Sequence, residues 1–78
     1  MFTQGETQIS RNIQGLRNQA GLTQEQLAVH LQLKGMDISR VGLSKAETGR
    51  RHLRADELLA IKEILDVTFD DLFYAKIR

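Results

Sequence analysis

The sequence has no cysteine, no proline, few aromatic side chains and no long apolar run. Without cysteine there are no disulfides and no thiolate metal ligands, which fits a reducing compartment. No apolar stretch approaches the length of a membrane span, and the N-terminus lacks the basic and apolar segments of a signal peptide. A cytoplasmic protein with no membrane contact is therefore expected. With 78 residues the chain has room for one core. Aromatics are only 5%, but the apolar fraction of 41% is adequate for a compact helical domain. Strand-like alternation, repeats, linkers and low-complexity segments are absent.

A catalytic constellation is missing as well. His30 and His52 are far apart and show no metal-ligand spacing. Gly49 does not belong to a phosphate-cradling loop of the Walker or dinucleotide type. Asp70 and Asp71 form an acidic pair in a first helical turn, which the helix dipole explains without a metal or an acid–base role. Neither an enzyme nor a bound cofactor is expected.

Net charge is only +1, but its distribution is uneven. From residue 34 to 54 the charges are mostly positive: Lys34, Arg40, Lys45, Arg50, Arg51 and Arg54. From residue 55 to 73 they are mostly negative: Asp56, Glu57, Glu63, Asp66, Asp70 and Asp71. This pattern predicts a cationic face and an anionic face.

Residues 1–6 are polar and aperiodic and read as a flexible arm; the domain proper is expected over 7–74, with a short tail at 75–78. The first helix is predicted from about Thr7 to Ala20, with Ile9, Ile13, Leu16 and Ala20 as its buried stripe and Gly21 as its stop. Gly15 within it marks a close helix contact. The second helix starts at a capping box, Thr23 with Gln26, buries Leu27, Ala28 and Leu31, and ends at Gly35. Gln24 at its start places an amide beside free backbone N–H groups, a combination that holds phosphate. A fourth helix is expected from about Arg54 to Leu65, with Leu58, Ile61, Ile64 and Leu65 inward. Thr68 can cap a last helix, in which Phe69, Leu72 and Phe73 are expected to close the core.

The most informative stretch lies between the second and fourth helices, residues 38–52. Ser39 is a good N-cap, Ile38 and Leu43 can form a hydrophobic staple, and Gly49 is placed to end the helix in the left-handed conformation. Leu43, Ala46 and Glu47 share one face. Val41, Lys45 and Thr48 share the opposite one, with Ser44 beside them and Arg40 reaching round from the first turn. A small apolar back and a cationic, hydroxyl and methyl front suit the DNA major groove, where Lys or Arg meets guanine and a small apolar group meets the thymine methyl. His52 sits in the basic run that follows, within reach of phosphate.

Arg17, the run from Gly21 to Ala28, the run from Ser39 to Gly49 and the run from Leu65 to Leu72 match in order, and together they resemble the phage-repressor-like (XRE, or Cro-type) helix-turn-helix family. The resemblance covers about Ile9 to Phe73. It implies an all-α, compact five-helix domain that binds operator DNA, usually as a dimer, with its third helix in the major groove. By the same resemblance, Arg40, Val41 and Lys45 fall where the family reads base edges, with Gly42 and Ser44 between them. Gln24 matches a phosphate-clamping glutamine, and Thr48, Arg50 and Arg51 fall in the segment that meets phosphates. Arg17 and Glu47 match an ion pair joining the first helix to the third. Glu47 shares its face with Leu43 and Ala46, so it needs a cationic partner in any case.

Three departures from the family pattern are evident. The stretch from Leu27 to Glu47 is longer than usual, and the surplus is assigned to about Leu33 to Asp37 as extra helix plus an extended turn. Gly42 lies inside the third helix, where glycine weakens it by about 1 kcal/mol against alanine. Asp66 stands where a glycine usually ends the fourth helix, and Arg54 where a small residue usually caps its start.

A sequence-specific transcriptional regulator, specifically a repressor, is therefore expected, with a double-stranded DNA operator as partner. Phe73, Tyr74 and Ile77 point to a homodimer through the C-terminal region. A protein-interaction module or an antitoxin on the same fold is the alternative, since fold alone does not define function.

Overall fold

The computed structural model describes the backbone of residues 4–74 and the side chains from residue 8 onward. It contains five helices: α1 (Gln4–Gln19), α2 (Gln24–Leu33), α3 (Arg40–Glu47), α4 (Ala55–Leu65) and α5 (Phe69–Tyr74). There is no strand among the described residues. The radius of gyration, 11.1 Å, is close to the about 11.5 Å of a compact chain of this length. None of the described helices is long and apolar enough to cross a membrane.

Local chemistry sets the boundaries. Thr23 Oγ1 accepts from Gln26 N at 3.1 Å, and Gln26 Oε1 accepts from Thr23 N at 2.9 Å, so the capping box is complete. Ser39 Oγ accepts from Gly42 N at 3.1 Å and starts α3. Thr68 and Asp71 make the same reciprocal pair at the start of α5. The helix ends are equally regular. Gly35 adopts φ +87, its N–H donates to Gln32 O, and Met36 N donates to Leu31 O, which satisfies the last carbonyls of α2. Asp66 (φ 56) does for α4 what glycine does elsewhere, with Val67 N donating to Lys62 O at 3.2 Å. Aspartate is one of the few residues that tolerate this conformation.

The helices pack α1 against α5 and α3, and α2 against α3 and α4. Ile13, Leu27, Leu31, Leu43, Ile61 and Leu72, drawn from all five, are essentially inaccessible and form the core. Asn12 is buried among them; its Nδ2 donates to Leu72 O at 2.7 Å and its Oδ1 accepts from Gln8 Nε2. That side chain ties the first helix to the last, with both ends of its amide engaged.

Several sequence expectations change. α1 begins at Gln4, so residues 4–6 are helical and not part of an arm; residues 1–3 and the tail 75–78 lie outside the described residues. Ala20 is exposed, because the helix closes at Gln19 and Gly21 turns the chain away. Phe69 and Phe73 do not close the core. α5 is a short helix that turns only Leu72 inward, and the two rings stack on each other outside it, with the Lys62 ammonium 5.4 Å from the Phe69 centroid. The extended connection occupies residues 34–39. Gln32 Nε2 pins it by donating to Ile38 O at 3.0 Å, and Ile38 is buried, whereas Leu33 is 79% exposed.

Candidate nucleic-acid interface

α3 is held from behind. Leu43, Ala46 and Glu47 are buried, and Glu47 is the anchor. Arg17 Nε donates to Glu47 Oε2 at 2.7 Å and Arg17 Nη2 to Glu47 Oε1 at 3.0 Å. The remaining arm, Nη1, donates to Leu22 O at 2.7 Å. Both side chains are nearly inaccessible, so the fork between carboxylate and guanidinium fixes the end of α3 against the end of α1. Gln24 Nε2 also donates to Glu47 Oε1, at 3.1 Å. The start of α2 and the end of α3 are thereby brought to one place, and one N–H of the Gln24 amide is engaged within the protein.

The outward face carries Arg40, Val41 and Lys45, all exposed, and Ser44, which is partly buried. Val41 is an exposed apolar side chain, at 52%. Gly42 is turned differently: a Cβ built there meets Ile38 Cγ1 at 3.2 Å, so its missing side chain lies over a buried isoleucine. The Thr48 hydroxyl donates back to Ser44 O or Lys45 O and offers no free O–H. Gly49, at φ +77, closes the helix, and Arg50 N donates to Lys45 O at 2.7 Å.

The basic residues divide into two groups. Lys34 pairs with Glu63 at 3.4 Å, Arg51 with Glu57 at 2.9 Å and Arg54 with Asp56 at 3.2 Å, while Lys62 covers Phe69. Arg40, Lys45 and Arg50 have no acidic partner among the described residues; the others without one are Arg11 on α1 and Lys62 on α4, which lies over the Phe69 ring. The unneutralised charge is thus concentrated on the exposed face of α3 and the residue just beyond it. His52 is exposed, and its carbonyl accepts from Arg51 Nη1.

Arg51 is not a solvated cation of this face. Its two terminal nitrogens grip Glu57 at 3.1 and 2.9 Å. Glu57 itself is buried and not part of an anionic surface, and its Oε1 also accepts from Arg54 N at 2.9 Å. Burial pushes the Glu57 carboxyl up, but the hydrogen bonds from Arg51 and Arg54 N–H, with the charges of both arginines, hold it below its ordinary 4.5. The same hydrogen bond holds Arg51 above its ordinary value. One signal for Glu57 was present in the sequence: it stands three residues after the Arg54 cap, where a glutamate reaches back to the cap N–H. Asn12 carried no such signal, since its partner is 60 residues away.

Among the described residues, no group of three His, Asp or Glu side chains is placed to hold a metal ion. A five-helix all-α domain with α2 and α3 joined by a turn and an exposed cationic face on α3 defines a helix-turn-helix protein. Consistent with that, the model of the helix-turn-helix domain family matches residues 8–73. The chain belongs to this family, an architecture that supports DNA-binding regulatory function in general. No curated protein and no solved structure matches the chain.

Proposed function

We propose that the protein is a phage-repressor-like (XRE, or Cro-type) transcriptional regulator, a repressor that reads a double-stranded operator with α3 in the major groove. The observation that carries this is the placement of unneutralised cations. The other described basic side chains, Arg11 apart, are matched with a carboxylate or a ring, and those that are not, Arg40, Lys45 and Arg50, cluster on and just beyond α3. Arg40 and Lys45 are the base readers, with Val41 against a thymine methyl and Ser44 beside them. Gly42 lies between these readers on the helix but faces Ile38, so it adds no contact of its own. Phosphates are met by Arg50 and His52, and at the start of α2 by the second Gln24 N–H with the first-turn backbone N–H groups, while the Thr48 hydroxyl stays bonded within α3. Arg51 borders this segment with its guanidinium bonded to Glu57.

The test is a binding titration on a mixed-sequence duplex over a range of salt concentrations, followed by selection from a random duplex pool. Affinity should fall steeply with salt through counterion release, and the selected pool should share a site. Binding that is insensitive to salt, or a pool that keeps no common sequence, refutes this function.

Assembly through α5 belongs to the same proposal. Phe69, Phe73 and Tyr74 are exposed, Tyr74 at 77%, and their rings form a contiguous apolar strip. Ile77, the other residue expected there, lies outside the described residues. Sedimentation at saturation should give two protomers per operator; one protomer on an asymmetric site rules the dimer out. The alternative, a protein-interaction module or antitoxin, is favoured by a different observation, the exposed Leu33 and Val29 on the outer face of α2.

A further inference from the structure

The loop between α3 and α4 is tied down more heavily than its length requires. Gly49 N and Arg50 N donate to Ala46 O and Lys45 O, Arg51 Nη1 donates to His52 O, and Arg54 N donates to Glu57 Oε1. Both terminal nitrogens of Arg51 converge on Glu57, whose side chain is 1% exposed against 31% for Arg51. A buried carboxylate is a poor device for stability alone, because desolvation offsets most of what the pairing returns, and an apolar residue in its place would pack as well. What the carboxylate supplies, and an apolar residue cannot, is direction. It fixes the guanidinium of Arg51, which lies between Arg50 and His52, and the backbone N–H of Arg54, two residues beyond His52.

We propose that Glu57 is a positioning residue of the DNA interface. Acting through Arg51 and the Arg54 N–H, it fixes residues 49–54 so that Arg50 and His52 face phosphate. This rests on the DNA-binding function proposed above. The rival assignment makes Arg51 itself a phosphate contact, with Glu57 an anion that weakens it. The two differ in sign. Glu57→Gln removes a negative charge and loosens Arg51, so direct contact predicts tighter binding. Positioning predicts weaker binding although the protein has become more positive.

The experiment measures affinity for a mixed-sequence duplex, the denaturation midpoint and amide hydrogen exchange of the free protein, for the parent, Glu57→Gln and Arg51→Lys. Lysine keeps the charge but loses the fork that matches the carboxylate. Both variants should bind about threefold to tenfold more weakly, with exchange accelerated at Arg50 and Arg54 but not in the core helices. Equal or tighter binding by either variant overturns the proposal. Weaker binding with exchange raised uniformly across the protein also overturns it, because Glu57 then serves only global stability. A parent that binds no duplex refutes the DNA-binding function itself, and the local exchange then decides the loop-fixing half alone.

Discussion

Glu47→Ala tests how α3 is held. In the native protein the Arg17 guanidinium, 8% exposed, donates to Glu47 through two arms and to Leu22 O through the third. Removing the carboxylate leaves a buried cation with a single acceptor and frees the Gln24 amide as well. Breaking a buried ion pair from one side costs about 3–5 kcal/mol. Arg17 can turn partly toward solvent at the end of α1, so the lower figure, about 3 kcal/mol, is expected. That is a large part of the about 5–15 kcal/mol that holds a domain together. With a urea m value of about 1–2 kcal/mol/M, the midpoint should fall by about 1.5–3 M. The double variant Arg17→Met/Glu47→Leu should recover most of the loss, because neither charge is then stranded. A midpoint for Glu47→Ala within about 0.5 M of the parent refutes the reasoning, since such a shift is at most about 1 kcal/mol.

Two further outcomes are expected. The Glu57 carboxyl is held below 4.5 in the folded protein, so between its native pKa and 4.5 the unfolded chain binds more protons and stability rises with pH. The contribution is complete above 4.5 and is lost as pH falls through the native pKa, so urea midpoints taken from about pH 6 to about pH 3 should drop less for Glu57→Gln than for the parent; parallel curves contradict this. Gly42→Ala should fail to give the about 1 kcal/mol that alanine gives over glycine in an open helix, because the new methyl meets Ile38 Cγ1 at 3.2 Å and Ile38 is buried. A thermal midpoint raised by the full amount shows that Ile38 can yield.

What was legible in the sequence was local. Thr23, Ser39 and Thr68 cap helices, and Gly21, Gly35 and Gly49 end them, because caps and left-handed stops act within a few residues of themselves. The inward face of α3 followed from spacing alone. What misled was periodicity near helix ends: Ala20, Phe69 and Phe73 fit an apolar repeat, but a helix end exposes residues that its middle would bury. The buried polar groups were the least legible. Asn12 has its partner on the last helix, and the Arg51 charge looked available until Glu57 was seen to hold it. In both cases the missing information was the tertiary partner, which composition and spacing do not carry.

The central claim is that α3 reads bases while the segment after it grips phosphate. Lys45 and Arg50 separate the two roles, since both are exposed, neither has an acidic partner among the described residues, and they differ in whether they lie on the helix or beyond it. The measurement is a salt-dependent titration of the parent, Lys45→Ala and Arg50→Ala on the selected site and on a scrambled duplex. Lys45→Ala should lose about 1–3 kcal/mol on the selected site and much less on the scrambled one, with preference relaxed at one base pair. Arg50→Ala should weaken both duplexes by a similar factor and flatten the salt slope by about one. If Lys45→Ala lowers affinity equally for both duplexes, Lys45 clamps phosphate and α3 does not read the site through this face.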